Sequence, residues 1–317
     1  MAEKLRGLYS ILATPFDSQG RIDEESLRSL VNFELKAGVN GITILGILGE
    51  VLRLSDSERL EVTKTVINEV SGQVPVVSGT GATGTDLAIM YSKEAEELGA
   101  NAVMVAPPRL MKPNDDALVR YYSAISEQIN IPIVVQDEPI TYTVYMSPPL
   151  IARLSEIDGV KYLKLEDPPT PMKISQIRGL VGEKLGIFGG LGGLYAYEEL
   201  CRGAIGIMTG FAYPEILVGV CNAFSHGNFD VASQLFYRAL PLIRYEAQPV
   251  VSLAIRKEIF KKRGLIKHAT LRGPATNLDA KSLKEIDELI AATKIDELIA
   301  ESRKIVKNYK RLEPEKS

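Results

Sequence analysis

A lysine stands in the middle of a short apolar run at residues 160–167 (VKYLKLED). If this run forms a β-strand, alternation places Tyr162, Lys164 and Glu166 on one face and Leu163 and Leu165 on the other. In an apolar pocket an ammonium group is poorly solvated, which lowers its pKa and favours the neutral amine. A neutral amine attacks ketones to form a Schiff base, so Lys164 is the candidate nucleophile. The alternative is a structural lysine that is buried against a carboxylate.

A glycine-bounded turn follows an earlier apolar run, at residues 46–50 (GILGE). Turns of this kind can point consecutive backbone N–H groups at an anion such as a carboxylate. We therefore expect Gly46, Ile47 and Leu48 to bind a substrate carboxylate. The alternative is a simple connection between a strand and the next helix.

Three polar residues directly follow the apolar run at residues 131–135 (IPIVV): Gln136, Asp137 and Glu138. Gln136 is expected to face the same side of its strand as the candidate pocket. The two acids are either a pair that transfers protons or two solvated loop residues. A later run ends on three residues that we expect to line the pocket: Met208, Thr209 and Gly210.

The composition excludes several classes of function. The 317 residues carry a net charge of −3, and 45% of them are hydrophobic, so a broad electrostatic grip on nucleic acid or on an anionic membrane surface is not expected. Two cysteines and two histidines are too few for a disulfide framework or a typical zinc site. The first residues show no secretory leader, and no apolar run reaches the roughly 20 residues that span a bilayer. A cytoplasmic protein is the expectation.

Eight apolar runs must position these residues. Their first residues lie near Ser10, Gly41, Val74, Ala102, Ile131, Val160, Leu185 and Ala204. Most are separated by the length of one strand and one crossover helix. Eight such units predict a (β/α)₈ barrel, whose active site lies at the carboxyl ends of its strands. A doubly wound open sheet is the alternative.

The chain is expected to divide into a barrel at residues 1–227 and a C-terminal helical extension, packed on the barrel, at residues 228–317. Three helical stretches are predicted in the extension, at residues 228–247 and 248–264 and from about Asp279 to Lys310. The last contains the hexapeptide IDELIA twice, nine positions apart, which we interpret as a local duplication on a charged surface helix. Within the barrel, Ser55 with Glu58, and Ser147 before Pro148, are typical of helix starts.

Residues 79–84 (GTGATG) fit the G-x-G-x-x-G pattern of dinucleotide-binding loops. The acidic residue expected about 20 positions later is missing. We therefore favour a tight barrel loop in which the glycines let the backbone approach the pocket. A nicotinamide site is the remote alternative.

The sequence resembles the dihydrodipicolinate synthase/N-acetylneuraminate lyase family. The resemblance rests on ATPF at residues 13–16, RID at 21–23, Gly46-x-x-Gly49-Glu50, Lys164, and LRGP at 271–274. It implies a (β/α)₈ barrel with a C-terminal helical extension, usually in a tetramer. It also implies that Lys164 forms a Schiff base with a 2-keto acid.

The sequence departs from the family pattern where hydroxyl groups are usual. Ile47 and Leu48 replace two threonines, Gln136 replaces a tyrosine, and the strand-four tyrosine pair is replaced near Pro108 and Arg109. An amide cannot relay a proton near neutral pH. The segments VVQDEP, MVAPP, YLKLEDP and GIMTGFAYPE are instead similar to a divergent subgroup that includes L-2-keto-3-deoxyarabonate dehydratase.

These features predict a Schiff-base lyase that acts on a small 2-keto acid, by dehydration or retro-aldol cleavage. Lys164 would be the nucleophile, Glu166 the general base, and Gln136 the residue that orients a water or substrate oxygen. No metal or organic cofactor is expected, because the iminium ion is the electron sink. Two alternatives remain: dihydrodipicolinate synthase itself, which condenses pyruvate with aspartate semialdehyde, and a non-catalytic barrel with a binding role. The expected assembly is a homo-oligomer, a tetramer or a dimer.

Overall fold

A closed parallel barrel forms the body of the computed structural model, which describes residues 5–109 and 112–312, with side chains described up to residue 309. The eight strands are β1 (Gly7–Ile11), β2 (Gly41–Ile44), β3 (Val76–Gly79), β4 (Ala102–Val105), β5 (Ile133–Asp137), β6 (Val160–Leu165), β7 (Gly186–Gly189) and β8 (Gly206–Thr209). They pair in chain order, and β1 also pairs with β8. The prediction of a closed barrel is confirmed, and the open sheet is excluded.

Helices connect and cover the strands. They are α1 (Glu24–Ala37), α2 (Asp56–Val70), α3 (Thr85–Glu97), α4 (Asp115–Ser126), α5 (Pro139–Tyr142), α6 (Pro148–Leu154), α7 (Thr170–Val181), α8 (Ala196–Cys201), α9 (Pro214–Ser225), α10 (Phe229–Glu246), α11 (Ser252–Lys262), α12 (Ala280–Ala292) and α13 (Ile295–Leu312). Short 3₁₀ turns lie at Ile47–Gly49, Val51–Arg53 and Leu191–Gly193. Both α10 and α13 pack against α9. In the described part of the chain, no helix is long and apolar enough to cross a membrane.

Local chemistry sets several helix boundaries as predicted. At the start of α2, the Ser55 side chain accepts from the N–H of Glu58, while the Glu58 carboxylate accepts from the N–H of Ser55, which completes a capping box. Ser147 caps α6, whose first residue is Pro148. Gly38 ends α1 in the left-handed conformation, at φ 86°.

The barrel has two apolar layers because neighbouring side chains of a strand point to opposite faces. Inside the barrel, the buried residues of the strands are Tyr9, Ile11, Val77, Ala102, Met104, Val134, Phe188 and Met208, with Tyr162 packed beside them. The rings of Tyr9 and Phe188 meet edge to face, with centroids 5.2 Å apart. This inner cluster fills the barrel below its carboxyl-terminal mouth.

Two strand starts were predicted two residues too early. The runs beginning near Val74 and Ile131 each contain a proline at their second position, and the strands begin after Pro75 and Pro132. Proline has no N–H to donate to the sheet, so it limits the strand at this point. In the first run, β1 instead begins three residues earlier than predicted, at Gly7.

The prediction of one long terminal helix from Asp279 to Lys310 is wrong. The segment forms α12 and α13, separated at Thr293 and Lys294, where Lys294 has φ 49°. Nine residues correspond to about two and a half helical turns, so a continuous helix would place the two IDELIA copies on opposite faces. The break allows the first isoleucine of each copy, Ile286 and Ile295, to be buried.

The glycine loop after β3 packs tightly against the neighbouring backbone at Leu45 and Ala106. A Cβ on Gly79 would collide with the carbonyl of Leu45, and a Cβ on Gly81 would lie 2.6 Å from the N atom of Ala106. Glycine is therefore required at these two positions by close backbone approach. At Gly84 an added Cβ would meet no described atom within 4 Å.

We predict that Gly79→Ala lowers the free energy of unfolding by about 1–3 kcal/mol, because the added methyl group displaces the Leu45 backbone. Gly84→Ser is the matched control from the same motif. It should leave stability unchanged or raise it slightly, since serine is a somewhat better helix N-cap than glycine. Urea unfolding of both variants measures the difference, and an equal loss in both would contradict the packing role of Gly79.

Candidate active site

Lys164 and Glu166 form an ion pair at the carboxyl end of β6. The Lys164 Nζ lies 2.7 Å from Glu166 Oε2, and the two side chains are 6% and 13% exposed. Tyr162, two positions earlier, joins the inner cluster, whereas Leu163 and Leu165 belong to the outer layer. The face of β6 that carries the amine therefore points into the barrel mouth, as alternation predicted.

Gln136 reaches the same carboxylate from the neighbouring strand. It pairs in register with Lys164, and its Nε2 donates to Glu166 Oε2 over 3.0 Å. A single carboxylate oxygen, Oε2 of Glu166, thus contacts the Lys164 ammonium and accepts a hydrogen bond from the Gln136 amide. Space for Glu166 comes from Gly190 after β7, where a Cβ would collide with the Glu166 side chain. The arrangement holds a proton acceptor beside the amine.

The turn after β2 presents two unused N–H groups. Leu45 and Glu50 flank it with φ of 54° and 57°. Inside the turn, the Gly49 N–H donates to the Gly46 carbonyl at 3.0 Å, and the Thr14 hydroxyl donates to the Gly49 carbonyl at 2.7 Å. Within the described chain, the N–H groups of residues 47 and 48 have no acceptor. They are available to an anion such as a carboxylate.

A buried ion pair anchors this turn to the C-terminal helices. Lys257 on α11 lies 2.6 Å from Glu50 Oε1, and both side chains are 0% exposed. Lys257 also donates to the Thr270 carbonyl at 2.8 Å, and the Arg272 N–H donates to Glu50 Oε2 at 3.0 Å. Burial lowers the pKa of Lys257 to about 8 although Glu50 opposes the shift. The turn after β2 is thus fixed by residues more than 200 positions away.

The three residues expected to line the pocket from β8 point in different directions. Met208 lies in the inner cluster, below the mouth. Thr209 faces outward, where its Cγ2 lies 3.4 Å from the position of a Cβ on Gly193. At Gly210 a Cβ would collide with the guanidinium of Arg256, which also donates to the Gly210 carbonyl. Strand alternation explains the divergence of Met208 and Thr209.

Asp137 and Glu138 are both buried, so they are not solvated loop acids. Asp137 faces outward and binds Lys173 of α7 at 2.6 Å. Burial still raises the pKa of Asp137 to about 6, against the opposing charge of Lys173. Lys173 also binds Asp167 at 2.7 Å. Lys173 is therefore a buried lysine that lies outside the barrel wall and has two carboxylate partners.

Tyr142 is a residue of the site that sequence reasoning did not identify. It ends α5, the short helix that follows Glu138, and its ring is buried. Burial, and then the charges of Glu138 and Glu166, raise the pKa of Tyr142, while Arg109 opposes the shift. The only sequence signal was a tyrosine six positions after Gln136. Alternation cannot place such a residue, because it lies beyond the end of the strand.

A family model described as the dihydrodipicolinate synthetase family matches residues 4–293. The chain belongs to this family. Members of the dihydrodipicolinate synthetase family are lyases that act on pyruvate or other 2-keto acids through a Schiff base. The chain is therefore a Schiff-base lyase of this family, as the resemblance predicted.

Curated relatives of the chain have more than one activity. Over 250 residues it is 34% identical to 4-hydroxy-tetrahydrodipicolinate synthase of Syntrophobacter fumaroxidans, covering 77% of this chain and 84% of that protein. Over 299 residues it is 30% identical to L-2-keto-3-deoxyarabonate dehydratase of Azospirillum brasilense, covering 93% and 96%. The crystal structure of dihydrodipicolinate synthase from Rhodopseudomonas palustris matches with a TM-score of 0.85 at 36% identity, covering 91% and 97%.

Behind the site of this family member lies a buried carboxyl group, Glu199 on α8. Burial raises its pKa to about 8, and the charge of Glu166 adds to the shift. Its Oε1 accepts from the Thr170 hydroxyl at 2.5 Å, while its Oε2 has no partner in the described chain. A protonated acid avoids the cost of burying an unpaired charge.

We predict that Glu199→Gln becomes more stable than the unaltered protein as the pH rises from 4.5 to 8. The folded pKa of about 8 exceeds the ordinary value of 4.5, so folding takes up a proton in this window and the stability of the unaltered protein falls with rising pH. Glutamine does not titrate and keeps an oxygen for Thr170. Chemical unfolding at several pH values measures the difference, with Glu61→Gln on exposed surface as the charge control. A difference that is constant over this range would contradict the prediction.

Proposed function

We propose that Lys164 is the Schiff-base residue and that the chain dehydrates a small 2-keto-3-deoxy sugar acid. The observation that supports the assignment is the buried Lys164–Glu166 pair, joined by Gln136 and placed at the barrel mouth. An amine next to a proton acceptor can lose its proton before it attacks a ketone. Two other lysines are buried near this end of the barrel: Lys173 binds two carboxylates, and Lys257 is enclosed with Glu50 and has 0% of its side chain exposed.

The first half of the proposed reaction forms the imine. Glu166 accepts a proton from the Lys164 ammonium, and the free amine attacks the C2 ketone of the substrate. The amine proton moves to the former ketone oxygen, and Glu166 returns its own proton to that oxygen as it leaves as water, so an iminium ion and an ionised Glu166 remain. The N–H groups of Ile47 and Leu48 hold the substrate carboxylate, and Gln136 orients a water or substrate oxygen. Gly46 begins the turn that holds the carboxylate, Gly210 leaves room for the Arg256 guanidinium, and Met208 lies beneath the mouth.

The second half uses the iminium ion as an electron sink. It acidifies the C3–H bond, and Glu166 removes that proton to give an enamine. Expulsion of a C4 hydroxyl from the enamine is dehydration, whereas breaking the C3–C4 bond of the iminium is retro-aldol cleavage. Gln136 stands where most of the family has a relay tyrosine, and an amide cannot take a proton from a C4 hydroxyl. This supports dehydration over cleavage.

We predict that borohydride with pyruvate adds mass irreversibly to Lys164 and that Lys164→Arg abolishes the addition. Reduction converts the imine into a stable secondary amine, which peptide mass spectrometry locates. Lys161→Arg, on the exposed opposite face of β6, is the matched control and should label normally. Label on Lys173, or none with any 2-keto acid tried, would contradict the assignment. Complete absence of label would support a non-catalytic binding role.

Dihydrodipicolinate synthase activity is the second candidate, supported by the 34% identical relative from Syntrophobacter fumaroxidans. That relative is named as a synthase. This chain, however, lacks the hydroxyl groups that are usual in the synthase site. We predict that no condensation of pyruvate with aspartate semialdehyde is detected in a coupled assay in which a bona fide synthase is active. Turnover comparable to that synthase would contradict the dehydratase proposal.

The proposed enzyme is a cytoplasmic homo-oligomer, a tetramer or a dimer, with the helical extension at residues 228–317 packed on the barrel. Exposed apolar side chains support self-association. Tyr145 and Met172 are 74% and 57% exposed and line one surface cavity of about 360 Å³ beside α7. Light scattering tests the assembly, and a monomer at micromolar concentration would contradict it.

A further inference from the structure

Glu138 lies at the same level of the barrel as the Lys164–Glu166 pair. Gln136 pairs with Lys164 in register, Asp137 pairs with Leu165, and the N–H of Glu166 donates to the Asp137 carbonyl at 2.9 Å. Alternation turns Asp137 outward and returns Glu138 to the face of Gln136. The mouth therefore carries two carboxyl groups on neighbouring strands, Glu138 on the β5 side and Glu166 on the β6 side.

The surroundings of Glu138 differ from those of Glu166. Glu166 has an ammonium at 2.7 Å, whereas no cation of the described chain lies within ion-pair distance of Glu138, which is 7% exposed. Its Oε2 accepts from the Thr141 N–H at 2.9 Å, and its Oε1 has no hydrogen bond to a described residue. Burial, and then the charge of Glu166, raise the pKa of Glu138. Two neighbouring carboxyl groups, one paired with an ammonium and one without a cation, suit the roles of base and acid.

We propose that Glu138 is the general acid that protonates the C4 hydroxyl as it leaves, while Glu166 is the base that removes the C3 proton. This inference rests on the proposed function and specifies its chemistry. The N–H of Thr141 at Oε2 leaves Oε1 to carry the transferable proton. In the role of an acid, Glu138 supplies the proton that the departing hydroxyl needs in dehydration, whereas retro-aldol cleavage needs a base at the C4 hydroxyl.

The proposed step balances. Glu166 takes the C3 proton, and the C3–H electrons form the C2=C3 bond of the enamine. The enamine then forms C3=C4 while the C4–O bond breaks, and Glu138 gives its proton to the departing oxygen, which leaves as water. Passage of one proton from Glu166 to Glu138 through water resets both groups. Hydrolysis of the conjugated iminium frees Lys164 and the unsaturated 2-keto acid.

A helix cap alone does not account for a buried glutamate at this position. In the same connection Ser147 caps α6 with a hydroxyl, which carries no charge to desolvate. A serine at residue 138 would satisfy the Thr141 N–H equally well. Burial of a carboxyl group without a cation partner is costly unless the group is neutral.

The leaving group distinguishes an acid from a structural residue. In Glu138→Gln, elimination of water from 4-hydroxy-2-oxobutanoate should fall by about 10²–10⁴-fold, the range for loss of a general acid. Elimination of fluoride from 4-fluoro-2-oxobutanoate should be unchanged, because fluoride leaves without a proton. Trapping of pyruvate on Lys164 and exchange of its C3 protons in D₂O should also persist. Glu138→Asp should restore part of the hydroxyl elimination.

The control is Asp279→Asn, which alters the exposed acid that caps α12 and should change none of these rates. Equal loss of water and fluoride elimination in Glu138→Gln, or loss of neither, would overturn the role of Glu138. If the unaltered protein traps pyruvate but releases neither leaving group, dehydration and the acid role are both overturned. Absence of trapping in the unaltered protein would instead overturn the proposed function itself.

Discussion

The Lys164–Glu166 ion pair is the interaction on which the other features of the site depend. Transfer of an ammonium from water into a protein costs several kcal/mol, and a well-placed carboxylate offsets much of this. The same carboxylate is the proton acceptor that frees the amine for attack on a ketone. Gln136 donates to it and so holds it beside Lys164. Stability of the resting site and reactivity of the amine thus come from one contact.

Barrel closure brings the partners of this pair together. Pairing of β5 with β6 sets Gln136 level with Lys164, and Gly190, directly after β7, leaves room for Glu166. On the opposite side, the Glu50–Lys257 pair fixes the turn after β2 to the C-terminal helices. The helical extension therefore has a function beyond covering the barrel, since it sets the position of two N–H groups proposed to bind the substrate.

Sequence periodicity predicted the features that depend on neighbouring residues. Alternation within β6 was sufficient to place Lys164 and Glu166 on one face, and the count of apolar runs predicted the closed barrel. Periodicity could not predict the burial of Glu138, because an acid that follows a strand is usually solvated. The contact of Glu50 with Lys257, 207 positions apart, leaves no local pattern. The break between α12 and α13 follows from packing of a duplicated apolar face.

The central claim is that the Lys164 amine leaves Glu166 to bond a substrate carbon. A crystal structure of the protein soaked with pyruvate and reduced with borohydride tests it most directly. The account predicts continuous electron density from Lys164 Nζ to C2, the pyruvate carboxylate about 3 Å from the N–H groups of Ile47 and Leu48, and Glu166 beside the new C–N bond. An intact Lys164–Glu166 pair, with pyruvate bound elsewhere or attached to another lysine, would contradict it.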